Sequence, residues 1–159
     1  VNAIGAPEVS PDNVNATGLR VAIVAGSWHP NISEGLVEGA IRFLDRCGAT
    51  WELFRVAGSF ELPLVSKLAL ESGFDAAVAL GVIIKGDTPH FEYVAQAATD
   101  GLTQVALDTG KPVGFGVLTL DTIEQGLDRA GFADSSEDKG AEASDAAVQT
   151  ALIARTLLG

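Results

Sequence analysis

The sequence predicts a three-layer α/β/α sandwich built on a four-stranded parallel sheet. Two observations carry this. From Leu19 onward, short apolar β-branched runs alternate with segments of helical period. The first run, "LRVAIVAG", has the β-branched residues of a strand packed between two faces, and strand–helix alternation implies a parallel sheet linked by right-handed crossovers. The 159 residues and 16.4 kDa suit one domain with a real core.

The elements follow in order. Residues 1–18, rich in Asn, Pro and Gly without sustained period, read as an extended N-terminal arm, and residues 19–159 as a single domain. "LRVAIVAG" (19–26) is a buried strand. Asn31 with Glu34 can cap a helix that buries Leu36, Val37, Ala40, Ile41, Leu44 and Cys47 and stops at Gly48. "TWELFRV" (50–56) is the second strand, and "AGSFELP" turns into a helix ending near Gly73. "AAVALGVII" (76–84), the longest apolar run, is the candidate central strand. Thr88 as N-cap and Pro89 at the first helical position open a helix whose inner face carries Phe91, Val94, Ala95, Ala98, Leu102, Val105 and Ala106. "PVGFGVLTL" (112–120) is the fourth strand. Thr122 and Gln125 form a capping box for a short helix to about Ala130, and "DSSED" leads to a last helix over 139–158.

Composition narrows the function. With 10 Lys+Arg against 21 Asp+Glu, the formal charge of −11 argues against nucleic acid or an anionic membrane as the main partner. It leaves room for a small anion, which a few cations or a helix N-terminus can hold. The single cysteine, Cys47, excludes an intrachain disulfide and a cysteine-rich metal site. No basic segment followed by an apolar core suggests a leader, so a cytoplasmic setting is expected. A content of 47% hydrophobic and 19% charged residues is apolar for a small domain, and a homo-oligomer is expected to cover the surplus.

Ligands of an open parallel sheet bind beyond the carboxyl ends of its strands. There the sequence places Trp28, then Ser59-Phe60-Glu61, then Gly86-Asp87-Thr88 ahead of His90. Trp28 could stack on a planar heterocycle or merely plug the sheet's edge. The Gly86–Thr88 turn could aim amides at an anion or be an ordinary strand–helix turn, and Asp87 weighs against an anion unless its carboxylate points away. His90 could accept and return protons, Glu61 could accept from substrate hydroxyls, and each could equally be a surface residue. Arg129 and Lys139 have the plain alternatives of helix-end and surface charges. His29, beside Pro30, is set aside.

Together, "GSFELP" (58–63), "GVIIKGDTPHFEYV" (81–94), "FGVLTLDTIEQGLDRAG" (115–131) and "DKGAEA" (138–143) resemble the lumazine synthase family over Leu19 to the C-terminus. The resemblance implies a flavodoxin-like fold and a transferase of riboflavin biosynthesis working without metal or organic cofactor. It implies condensation of 5-amino-6-ribitylaminouracil with 3,4-dihydroxy-2-butanone 4-phosphate to 6,7-dimethyl-8-ribityllumazine. Trp28 would stack on the pyrimidine, Ser59 and Phe60 would lie near uracil and ribityl chain, and Glu61 would take ribityl hydroxyls. Val82 and Ile83 would offer backbone groups to the uracil edge, Gly86, Asp87 and Thr88 would cradle phosphate, and His90 would transfer protons. Phe115, Arg129 and Lys139 would come from the neighbouring copy of a homo-oligomer. A pentamer is expected, because "AGFADSSEDKG" is longer than the Gly-rich link associated with sixty-subunit shells. Lys85 departs from the family's usual arginine, forfeiting a bidentate contact.

Overall fold

The computed structural model describes residues 4–159. Strands β1 (Arg20–Gly26), β2 (Thr50–Val56), β3 (Ala76–Ile84) and β4 (Val113–Leu120) form one parallel sheet in the order β2-β1-β3-β4. Helices α1 (Pro30–Cys47), α2 (Leu62–Glu71), α3 (His90–Thr109), α4 (Ile123–Leu127) and α5 (Lys139–Leu158) connect and follow them. This is the expected α/β/α sandwich.

The two interior strands are buried on both faces, which is why their sequences read as unbroken apolar runs. Side-chain alternation nevertheless divides them between two cores. Val21, Ile23 and Ala25 of β1 and Val78, Leu80 and Val82 of β3 pack towards α1 and α5. Ala22 and Val24, with Ala79 and Ile83, pack towards α2 and α3. Strand order reverses between β1 and β3, and the sheet's crevice opens beyond their carboxyl ends.

Several boundaries differ from the sequence reading. Helix α1 begins at Pro30 with His29 as its N-cap, rather than being capped by Asn31. Proline at the first helical position loses no hydrogen bond, and His29 O accepts the N–H groups of Ile32 and Ser33 at 3.1 and 3.0 Å. Helix α3 starts at His90 with Pro89 as N-cap, one residue later than expected. Thr88 Oγ1 still accepts the His90 N–H, over a long 3.4 Å. The Thr122/Gln125 capping box is present, but α4 stops at Leu127 rather than near Ala130. Beyond it, residues 128–138 fold back: Glu137 N–H donates to Asp128 O, Gly131 N–H to Glu137 O and Lys139 N–H to Arg129 O.

The N-terminal segment contains a 3-10 turn over Pro11–Asn13, and Ala16, fully buried, donates its N–H to Cys47 O at 2.8 Å. Residues 1–3 of the expected arm lie outside the described residues. Among the described residues no helix is long and apolar enough to cross a membrane, and no cluster of His, Cys, Asp and Glu is suited to a metal.

Candidate active site

A cleft of about 610 Å³ lies at the carboxyl edge of the sheet. Its walls come from the residues after β1 (Trp28, His29), the turn after β2 (Gly58–Glu61), the end of β3 (Val82–Ile84), Gly86 and Thr88, and the start of α3 (His90, Phe91, Tyr93, Val94). The sequence-derived set Trp28, Ser59, Phe60, Glu61, Val82, Ile83, Gly86, Thr88 and His90 is therefore gathered in one place by the fold. Asp87 belongs to the same turn but does not line the cleft, and neither do Phe115, Arg129 or Lys139.

The aromatic wall is held from behind. The Trp28 indole lies against Gly58 so closely that a Cβ there would sit 3.1 Å from Nε1. The ring itself is 66% exposed and faces the cleft beside Phe60, also largely exposed. An apolar ring left so open in a folded chain is the surface a planar ligand would cover. Ser59 is buried because Gly81 of β3 lacks a side chain; a methyl there would lie 2.5 Å from Ser59 Oγ. This close approach seats the 3-10 turn over Ser59–Glu61 directly on the sheet.

Behind the Trp28 turn lies a polar clamp. Ser33 Oγ donates to Gly26 O at 2.9 Å, and Arg55 Nη1 donates both to Ser33 Oγ at 3.0 Å and to Gly26 O at 3.3 Å. Arg55 Nη2 pairs with Glu34. Ser27 Oγ donates to Val56 O at 2.7 Å. Between these anchors His29 takes a left-handed conformation, φ 53° and ψ 67°, which only it among the described non-glycine residues adopts.

On the opposite wall, Lys85 N–H donates to Leu120 O at 2.8 Å, the last tie to the sheet before the chain leaves β3. Among the described residues no acceptor takes the N–H groups of Gly86, Asp87 or Thr88, and all three residues are exposed. Three amides without a described acceptor, just ahead of a 20-residue helix, are free to donate to an anion. His90, exposed on the first turn of that helix, stands beside them.

A second polar group lies outside the cleft. Arg129 Nη1 donates to Gln125 O at 2.8 Å, and its Nε is 3.5 Å from Glu137 Oε2. Lys139 Nζ lies 2.9 Å from Glu137 Oε1 and donates to Glu142 Oε1 at 3.3 Å. Glu137, only 8% exposed, thus joins the two cations. Burial alone would lower the Lys139 pKa, but the Glu137 and Glu142 carboxylates outweigh it and raise it. Phe115 of β4 is half-exposed, in register with Ala79 of β3.

The sequence reading set His29 aside, gave Phe91 and Val94 to the inner face of their helix, and singled out no role for Gly58, Ile84 or Tyr93. His29 carried the same positional signal as Trp28, following a strand end. Tyr93, 74% exposed, lies one turn of α3 beyond His90, where helical spacing alone could have found it. Glu137 carried no local signal, since its partners are assembled by the fold-back of 128–138.

Comparison with known proteins finds one family along almost the whole chain. A family model described as 6,7-dimethyl-8-ribityllumazine synthase matches residues 18–155. The 6,7-dimethyl-8-ribityllumazine synthase of Leifsonia xyli subsp. xyli is 63% identical over 159 residues, covering 100% of both chains. That of Clavibacter sepedonicus is 63% identical over 155 residues, 98% of this chain and 97% of the relative. That of Streptomyces coelicolor is 57% identical over 154 residues, 96% of this chain and 94% of the relative.

Proposed function

The chain belongs to the 6,7-dimethyl-8-ribityllumazine synthase family, and we propose that the strand-end cleft is where it carries out that family's reaction. It is a transferase of riboflavin biosynthesis. It condenses 5-amino-6-(D-ribitylamino)uracil with 3,4-dihydroxy-2-butanone 4-phosphate, releasing phosphate and water. The observation that carries the assignment of the site is the pairing, in one cleft, of an open aromatic ring with a histidine and with Gly86 and Thr88 of a turn whose amides have no described acceptor.

In this reading Trp28 stacks on the pyrimidine, and Val82 and Ile83 present backbone groups to its edge. Ser59 and Phe60 flank the uracil and ribityl chain, and Glu61 accepts ribityl hydroxyls. The amides of Gly86, Asp87 and Thr88 receive phosphate, with Asp87 contributing its N–H while its carboxylate stays in solvent. Amine and ketone condense to a Schiff base with loss of water; phosphate then leaves, and ring closure expels further water. Each step moves a proton near the phosphate-bearing carbon chain, and His90 adjoins the turn that would hold that phosphate. Much of the acceleration comes from holding two reactants together, with no metal or organic cofactor called for.

The rest of the reading concerns assembly. Phe115, Arg129 and Lys139 lie outside this subunit's cleft, and we assign them to the cleft of an adjacent copy, with Arg129 on phosphate. A cytoplasmic homopentamer is the form proposed. The test of function is direct: the purified protein is mixed with both substrates and lumazine fluorescence is followed. A rate above the spontaneous reaction is expected; a rate equal to it would overturn the reading.

A further inference from the structure

We propose that Arg55 is a positioning residue for this reaction: from β2, its guanidinium fixes the turn that presents Trp28 and His29 to the cleft. The consequence for catalysis rests on the ring-stacking role given to Trp28 above; the positional claim does not.

The chain between Gly26 and Ser33 has to leave β1, turn and enter α1 at Pro30, and His29 does so in a left-handed conformation. A residue with a Cβ gains nothing from that conformation, and proline next to it narrows its freedom further, so the surroundings must impose it. The surroundings are the Arg55 fork. One guanidinium nitrogen donates to Gly26 O, before the turn, and to Ser33 Oγ, after it. The other pairs with Glu34, one residue further along α1. Ser33 closes the loop by donating its own hydroxyl to Gly26 O. Both ends of the segment bearing Trp28 are therefore tied to one side chain of the neighbouring strand. Ser27, bonded to Val56 O, ties the middle to the same strand.

The chemistry calls for arginine. A planar fork reaches three acceptors at fixed angles, which a lysine ammonium on a flexible stem does not reproduce. The Arg55 side chain is 33% exposed and lies on an edge strand, so its removal leaves the two apolar cores intact. A side chain that only stabilised the fold would have no reason to concentrate its bonds on the last residue of β1 and the first turn of α1, on either side of Trp28.

Arg55→Met and Arg55→Lys test the proposal, both in a Trp51→Phe background that leaves Trp28 as the only tryptophan. Without substrate, the fluorescence anisotropy of Trp28 is expected to fall in both variants, more in Met than in Lys. With substrates, Arg55→Met should raise the KM for the ribitylaminouracil about tenfold, with kcat and the KM for the phosphate substrate within about twofold of the parent. Arg55→Lys should lie between. Unchanged anisotropy, or a lysine variant indistinguishable from the parent, would overturn the positioning role. An equal rise in both KM values together with a lower Tm would also overturn it, by assigning Arg55 to general stability. Trp28→Ala is the control for the underlying reading. If it leaves the KM for the ring substrate unchanged, ring stacking fails, while the anisotropy still decides what Arg55 does. If it raises that KM and Arg55→Met does not, positioning alone fails.

Discussion

At the scale of single residues, the proposed roles separate binding from proton handling. His90 adjoins the Gly86–Thr88 turn but makes no side-chain hydrogen bond among the described residues, so its replacement leaves the other walls in place. His90→Ala is expected to lower kcat by on the order of 10²-fold while the KM values change little, as loss of a general acid–base does. Steady-state kinetics with both substrates checks this; an unchanged kcat would remove His90 from the mechanism. Gly81→Ala acts differently. The new methyl would collide with Ser59 Oγ and push the Ser59–Glu61 turn off the sheet, raising the KM for the ribityl substrate by roughly tenfold or more. Arg129→Ala should raise the KM chiefly for the phosphate substrate. An equal rise for both would point to a damaged subunit interface.

Elements show what sequence patterns reveal and what they hide. The two interior strands were legible because burial on both faces demands near-unbroken apolar runs, and "AAVALGVII" is β3 from end to end. The Thr122/Gln125 box was legible because both of its bonds lie within four residues. Helix starts were less so. Asn31 and Thr88 are good caps by type, but Pro30 and the bent backbone at His29 set the start of α1, and Pro89 sets that of α3. The fold-back of 128–138 was hidden altogether, because the bonds that close it, such as Gly131 to Glu137 and Lys139 to Arg129, join residues well beyond one helical turn apart in an otherwise polar stretch. That segment has a pH signature. The Ser136 hydroxyl, then its N–H, hold the Asp128 carboxyl below its usual pKa. A lowered folded pKa stabilises the fold above the unfolded value of about 3.9, and the contribution fades as pH falls through the folded value. Ser136→Ala should therefore show a Tm deficit that is constant above about pH 5 and shrinks below about pH 4. Thermal unfolding across that range checks it.

For the whole molecule, the sequence located one half of the site better than the other. Seven of the proposed cleft residues, Trp28, Ser59, Phe60, Glu61, Gly86, Thr88 and His90, follow from one rule, that ligands sit beyond strand ends. Val82 and Ile83, within β3, and Phe115, Arg129 and Lys139, outside the cleft, owe their proposed roles to a resemblance to relatives alone. The fold adds Glu137, which holds Arg129 and Lys139 as a pair ready to act together. If an adjacent copy supplies them, activity depends on assembly: light scattering should give a mass about five times that of the 16.4 kDa chain, and dilution below the assembly threshold should abolish turnover. A mass near sixty chains would instead indicate a shell.

The strand order also bears on how the chain reaches this state. β1 is the first strand made, yet it lies between β2 and β3, so its ladder to β2 can close only after α1 has been made and its ladder to β3 only after α2. During synthesis "RVAIVAG" must wait until residue 84 has emerged before both its edges are covered. Non-local pairing of this kind makes folding slow and leaves an apolar strand open to the wrong neighbours in the meantime. The placement that creates the crevice for substrate is thus also the reason a newborn chain is most prone to aggregate before its third strand arrives.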